Sequence, residues 1–191
     1  MIGIIFGPPG SGKGTQAARI EKEFHLAHLS TGAILRAEVT RGTEIGKEVG
    51  RIMAAGDLVP DDIIVSIVRQ RLPESEAGPG VLLDGFPRTL EQAEALDDVL
   101  LEIGSPLDVV FDLQIDEQTC IERLVGRARE EGRSDDTPEA IATRLQLFRD
   151  ATLPVIEHYR AQGKVVGVHA AGTVNEVFNE IQEALEQVGA R

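Results

Sequence analysis

Nine residues near the start of the chain, Gly7-Pro8-Pro9-Gly10-Ser11-Gly12-Lys13-Gly14-Thr15, have the composition of a loop that wraps a chain of phosphates. They follow an apolar run, Ile2 to Phe6, and precede a helix-forming stretch, Gln16 to Phe24. In that order a strand feeds a glycine-rich turn whose N–H groups, with the helix N-terminus behind them, converge on anionic oxygens. Glycine lets the backbone close on the phosphates without Cβ interference, and Lys13 adds a mobile positive charge near the β and γ positions. A simple turn of small residues would not need the lysine in register with the glycines. The expectation is a nucleoside triphosphate site. Position 14 departs from the general pattern, because Gly14 stands where most such loops carry a Ser or Thr that ligates Mg²⁺. The hydroxyl comes one residue later, on Thr15, a possible ligand. The metal is therefore expected to be held mainly by substrate phosphates and water. The same shift argues against a GTPase or a motor ATPase.

A second constellation lies at Asp84-Gly85-Phe86-Pro87-Arg88-Thr89, directly after the apolar run Val81-Leu82-Leu83. A carboxylate there sits at the carboxyl edge of the sheet, beside the first loop, and can hold Mg²⁺ through its waters. Gly85 and Pro87 shape a tight loop that aims Arg88 from a fixed backbone. Arg123 and Arg127 are four apart on one helix face and can reach the same ligand; a solvated face paired with Glu122 or Glu130 is the other reading. Thr89 and Gln92 fit the T-x-x-Q pattern of a capping box. His25, His28, His158 and His169 have no metal-ligand spacing and read as structural.

Short β-rich runs alternate with longer helical patterns along the chain. Strands are expected near 2–6, 27–29, 81–84, 108–113 and 165–169. Helices are expected near 13–24, 31–40, 44–54, 61–71, 90–103, 117–127, 138–161 and 174–187. This alternation implies an α/β fold with a parallel sheet covered on both faces. Thr137-Pro138 and the Thr173-x-x-Glu176 capping box mark helix starts, and Pro154 should kink the long helix it interrupts. Two stretches fall outside the alternation: 30–59, two helices with no strand between them, and 128–136, a polar loop. Both read as flaps over a binding face.

Composition narrows the class. A length of 191 residues with 42% hydrophobic content suits one compact domain. No apolar run approaches the ~20 residues of a membrane span, and no secretory leader is visible. The single cysteine, Cys120, cannot form an internal disulfide or a Cys-rich zinc cluster, which fits a reducing cytoplasm. A net charge of −13 opposes nonspecific binding to nucleic acid or anionic lipid. Of 19 cations only four are lysines, and arginine is the side chain that grips phosphate oxygens in pairs.

Gly7 to Thr15, Leu29-Ser30-Thr31-Gly32, Gly56 to Asp61, Asp84 to Thr89, Gln92 and the arginines of the C-terminal half together resemble adenylate kinases, within the nucleoside monophosphate kinase family. The resemblance spans nearly the whole chain. It implies reversible phosphoryl transfer, ATP + AMP giving two ADP, with Mg²⁺ as cofactor. It also implies a P-loop core with a five-stranded parallel sheet flanked by helices (1–29, 60–126 and 134–191), a helical AMP-binding flap (30–59) and a short lid loop (127–133). Carried over by position, it gives Gly10, Ser11, Gly12, Lys13, Gly14 and Thr15 to the ATP phosphates, with Arg123 and Arg127 over the base and phosphates and Gly172 against the adenine. The AMP site would comprise Thr31, Arg36, the segment Asp57-Leu58-Val59, and Gly85, Phe86, Pro87 and Arg88, with Gln92 at the adenine edge. Arg133 and Arg144 would clamp the transferring group, and Lys13, Arg88, Arg123, Arg127, Arg133 and Arg144 form the catalytic set. Asp84 would hold Mg²⁺ through water.

The spacing from Arg127 to Arg133 leaves room only for a short lid, so no structural zinc is expected. Ala33 stands where the family commonly has an acid. A UMP/CMP kinase on the same scaffold is the alternative; those resemble this chain less at Thr31 and in the Thr-x-x-Gln spacing. By resemblance the enzyme acts on free nucleotides as a cytoplasmic monomer.

Overall fold

The computed structural model describes residues 1–75, 78–133 and 135–189. Ser134, within the expected loop 128–136, lies outside them, as do Glu76, Ala77, Ala190 and Arg191 of the expected core. Five parallel strands, β1 (Ile2–Phe6), β2 (Ala27–Ser30), β3 (Val81–Asp84), β4 (Val109–Gln114) and β5 (Val165–His169), form one sheet in the order β2-β3-β1-β4-β5. The strands are apolar on both faces because both are covered. Ile2, Ile4 and Phe6 enter one core with Val81 and Leu83, whereas Ile5 enters the other with Leu82 and Phe111. That is the period-two alternation of a strand buried between two layers.

One face is covered by α1 (Lys13–Phe24) and α9 (Val174–Gln187), through Ala17, Ile20, Val177, Phe178 and Ile181. The other is covered by α4 (Asp61–Ser75), α5 (Leu90–Ile103) and α8 (Leu153–Ala161), through Val68, Leu96 and Ile156. Strand β1 is central, and its neighbours on the two sides arise from connections running in opposite directions. The crevice at its carboxyl end is a topological switch point, where open α/β sheets take ligands. Residues 7–12 lie there. Gly10 has φ +86°, and a Cβ on it would come within 2.6 Å of the Cys120 carbonyl oxygen, so only glycine fits.

The helical pair expected over 30–59 is present as α2 (Thr31–Arg41) and α3 (Glu44–Ala55), capped by Ser30 and Thr43. Two expectations need correction. The helix expected over 117–127 runs on as α6 (Glu117–Glu131), so the start of the stretch read as a polar loop is helical. Ala128 to Glu131 are good helix formers, and the stop falls at Gly132, a left-handed C-cap with φ 61°. The segment 138–161 is not one kinked helix but α7 (Pro138–Leu147), a π-helical turn over Phe148–Thr152, and then α8. Pro154 has no N–H to donate, and the preceding turn widens so that the Leu153 N–H reaches the Phe148 carbonyl.

Candidate functional site

A cleft of about 610 Å³ opens above the carboxyl ends of β1 and β3. Its floor is the 7–15 loop, its walls come from Ser30 to Arg36 on one side and α6 on the other, and α7 reaches it with Arg144. Lys13, Arg36, Arg88, Arg123, Arg127, Arg133 and Arg144 all line it. A smaller recess of about 70 Å³ adjoins it, lined by Thr31, Leu35, Arg36, Met53, Asp57, Leu58, Val59, Gln92 and Arg88 among others.

Lys13 begins α1, and its Nζ folds back to donate to the carbonyls of Gly7 (2.7 Å) and Pro8 (2.9 Å). Burial lowers its pKa from 10.5 to about 8; Asp84 opposes that shift, and Arg88 and Arg144 add to it. Asp84 ends β3 almost fully buried. Burial disfavours its charge, but the His28 hydrogen bond (Nε2 to Oδ2, 3.3 Å), Lys13 and Arg88 outweigh it and hold the carboxyl below the usual range. An ionised carboxylate and the exposed Thr15 therefore line the same cleft. A single carboxylate suits Mg²⁺ bound mainly through water and phosphate. Among the described residues no group of three or more His, Cys, Asp or Glu could hold a metal by itself.

Arg88 is held by its loop: its Nε donates to the Gly85 carbonyl at 2.8 Å, and its backbone N–H to Gln92 Oε1 at 2.7 Å. Burial, then repulsion from Arg144, pushes its pKa down from the ordinary arginine value. Arg36 is pushed down too, by burial and then by Arg133. Arginine stays charged regardless, so the downward push reflects first how buried these groups are and only then how much positive charge crowds the cleft. Part of that crowding is balanced internally. Arg127 makes a two-pronged pair with Asp136, Nε to Oδ2 and Nη2 to Oδ1, both 2.7 Å. Arg144 Nη1 donates to the same Oδ1 and to the Asp135 carbonyl, both at 2.9 Å. Burial works against the Asp136 charge, yet Arg127 and Arg144 hold its carboxyl below the usual range. Arg123 reaches the Ala170 carbonyl at 3.2 Å, and Arg133 pairs with Glu131 at 2.6 Å.

Comparison with known proteins agrees with this geometry. The adenylate kinase family model matches residues 5–164. The chain belongs to the adenylate kinase family. It is 45% identical to an adenylate kinase of Stenotrophomonas maltophilia (strain K279a), over 96% of this chain and 98% of that protein. It is 46% identical to an adenylate kinase of Xanthomonas euvesicatoria pv. vesicatoria (strain 85-10), over 95% and 97% respectively.

Most positions carried over from the adenylate kinase pattern converge. Gly10, Gly12, Lys13, Gly14, Thr15, Asp84, Pro87 and the arginines meet in the cleft, and Thr31, Asp57, Leu58, Val59 and Gln92 meet in the recess, with Arg36, Leu58, Gly85, Arg88 and Arg144 common to both. Three positions line neither. Ser11 is 2% exposed and faces Lys13 Nζ at 3.4 Å; Phe86 is 1% exposed and packs in the core; Gly172 lies beyond the cleft, before α9. The capping expectation at Thr89 is half met. Thr89 Oγ1 accepts from the Gln92 N–H at 3.2 Å, but Gln92 Oε1 accepts from Arg88 rather than from Thr89. Gln92 Nε2 donates to Asp61 at 2.6 Å, so both polar ends of this recess residue are also engaged within the protein. Asp135, Asp136 and His28 were missed. The Asp135-Asp136 pair ahead of Thr137-Pro138 was visible as sequence, but nothing local marked it as the partner of Arg127 and Arg144.

Proposed function

We propose that the cleft holds ATP on the 7–15 loop and AMP in the recess, and moves one phosphoryl group reversibly between them to give two ADP. The observation that carries this is the gathering of seven cationic side chains on one cleft of a chain with net charge −13. Two polyanions can be brought nose to nose only if their repulsion is cancelled, and that cancellation is also what the transfer needs. An AMP phosphate oxygen attacks the γ-phosphorus in line. The bond from that phosphorus to the bridging oxygen breaks, and ADP leaves with the electron pair. The attacking phosphate has a second pKa near ~6 and is already largely deprotonated at neutral pH, so no general base is required.

Arg88 would hold the acceptor phosphate from its clamped loop, and Lys13 would exchange its loop carbonyls for phosphate oxygens. Arg36, Arg123, Arg127, Arg133 and Arg144 would surround the transferring group. Asp84 and Thr15 would hold Mg²⁺ through its waters, and the ion when bound supplies further charge neutralisation on the donor phosphates. The segments 30–59 and 127–133 would act as flap and lid on the core of 1–29, 60–126 and 134–191. Their closure would keep water from competing as acceptor. Ser11, Phe86 and Gly172 would act through backbone or packing. Relatives named as adenylate kinases support AMP over UMP or CMP as acceptor.

Purified protein given Mg²⁺ and ADP alone tests the reading. ATP and AMP should appear in equal amounts, and no accumulation rejects the function. With ATP as donor, faster turnover of CMP or UMP than of AMP would favour the alternative. The same reading makes the enzyme a cytoplasmic monomer that does not bind nucleic acid. Among the described residues no helix is long and apolar enough to cross a membrane.

A further inference from the structure

We propose that Thr152, delivered by the π-helical turn, is a positioning residue that fixes Arg88 for the acceptor phosphate by holding its carbonyl. Thr152 Oγ1 donates to the Arg88 carbonyl oxygen at 3.2 Å across 64 positions of sequence. The residue is 7% exposed and lies at the edge of the cleft. Gln92 Oε1 accepts from the N–H of the same arginine at 2.7 Å. The backbone of Arg88 is thus gripped on both sides, by α5 at its N–H and by the π turn at its carbonyl.

A threonine inside a helix normally turns its hydroxyl back onto the carbonyl four residues earlier. Two threonines of this protein do that: Thr40 donates to the Arg36 carbonyl at 2.9 Å, and Thr143 to the Glu139 carbonyl at 3.0 Å. Thr152 sends its hydroxyl out of its helix instead. The π turn accounts for the direction. In an unbroken α-helix, residues eight apart lie about 80° apart around the axis, and the extra residue of a π turn takes back roughly 100°. Thr152 is thereby brought close to the azimuth of Arg144, eight residues earlier, and both face the cleft.

The grip has a physical purpose. Arg88 is buried among charges of both signs: Arg144 and Arg36 repel it, while Asp84 and Asp135 attract it. These opposed forces do not by themselves fix where the guanidinium points. A backbone held at both ends, with Nε fixed on the Gly85 carbonyl, keeps it aimed into the cleft. The phosphate then meets a preset donor rather than a searching one.

This inference rests on the proposed reaction, and the test separates the two. Thr152→Val keeps the shape and removes the donor; Thr152→Ser keeps the donor. For Thr152→Val we expect kcat/KM for AMP at saturating ATP to fall about tenfold or more, with KM for ATP changed less than about twofold. Thr152→Ser should restore most of the loss. In the nucleotide-free protein, the Arg88 Nε–H resonance should exchange faster with solvent in Thr152→Val than in wild type. This readout needs no activity. Should the valine variant not fold, Thr152→Ala carries the same comparison. Unchanged AMP kinetics and Nε–H exchange in a folded variant, or equal rises in KM for ATP and AMP, overturn the positioning role alone. A wild-type protein that makes no ATP and AMP from ADP overturns the reaction, and this role with it.

Discussion

Raising the pH should weaken nucleotide binding while strengthening the nucleotide-free fold, and one lysine links the two. Burial sets the Lys13 pKa at about 8 instead of 10.5. That difference corresponds to roughly 3 kcal/mol against the charged form in the folded protein. Between those values the unfolded chain binds more protons than the folded one, so stability of the free protein rises with pH across the window from about 8 to 10.5. A bound polyphosphate restores the ammonium by supplying counter-charge, so binding takes up protons where the free site has lost them. The uptake should be about half a proton per ATP at pH 8 and about nine-tenths at pH 9, and affinity should fall towards tenfold per pH unit above 8. The terminal phosphate titrates far below this range and does not interfere. Isothermal titration calorimetry in buffers of different ionisation enthalpy measures the uptake directly. Flat affinity from about pH 7.5 to 9.5, or undiminished uptake in Lys13→Met, would refute the assignment.

Arg88→Ala should lower kcat for ADP formation by about a hundredfold or more through lost charge stabilisation; a tenfold or smaller effect means its role is misassigned. Asp136→Ala leaves Arg127 and Arg144 without their shared carboxylate. Breaking a fully buried pair costs about 3–5 kcal/mol, but these arginine side chains keep 25% and 17% exposure, so about 2 kcal/mol of lost stability is expected in urea denaturation. Because the Asp136 carboxyl is held below its ordinary range, the stability it contributes is present above that range. It should be lost as pH falls below about 4, and an acid-unfolding curve unchanged by Asp136→Ala would contradict this.

The sequence by itself determined the succession of strands and helices along the chain, the phosphate loop and, through the family resemblance, the cationic side chains that line the cleft. These signals are local: apolar runs make buried strands, Thr137 and Thr173 cap their helices, and glycine spacing shapes the loop after β1. The run of α6 to Gly132 was also local, but it was masked by the polarity of Arg129 to Glu131. What only the tertiary structure decided is how distant groups share charge and hydrogen bonds. Asp136 became the partner of two arginines, Phe86 turned into the core beside a loop that aims Arg88 outward, and Gln92 divided its amide between Arg88 and Asp61. Thr152 reached Arg88 because a proline two residues on widened a helical turn. Each of these contacts depends on which strands lie side by side and on the exact rotation of a packed helix. Such contacts join residues far apart in the chain, and no local spacing encodes them.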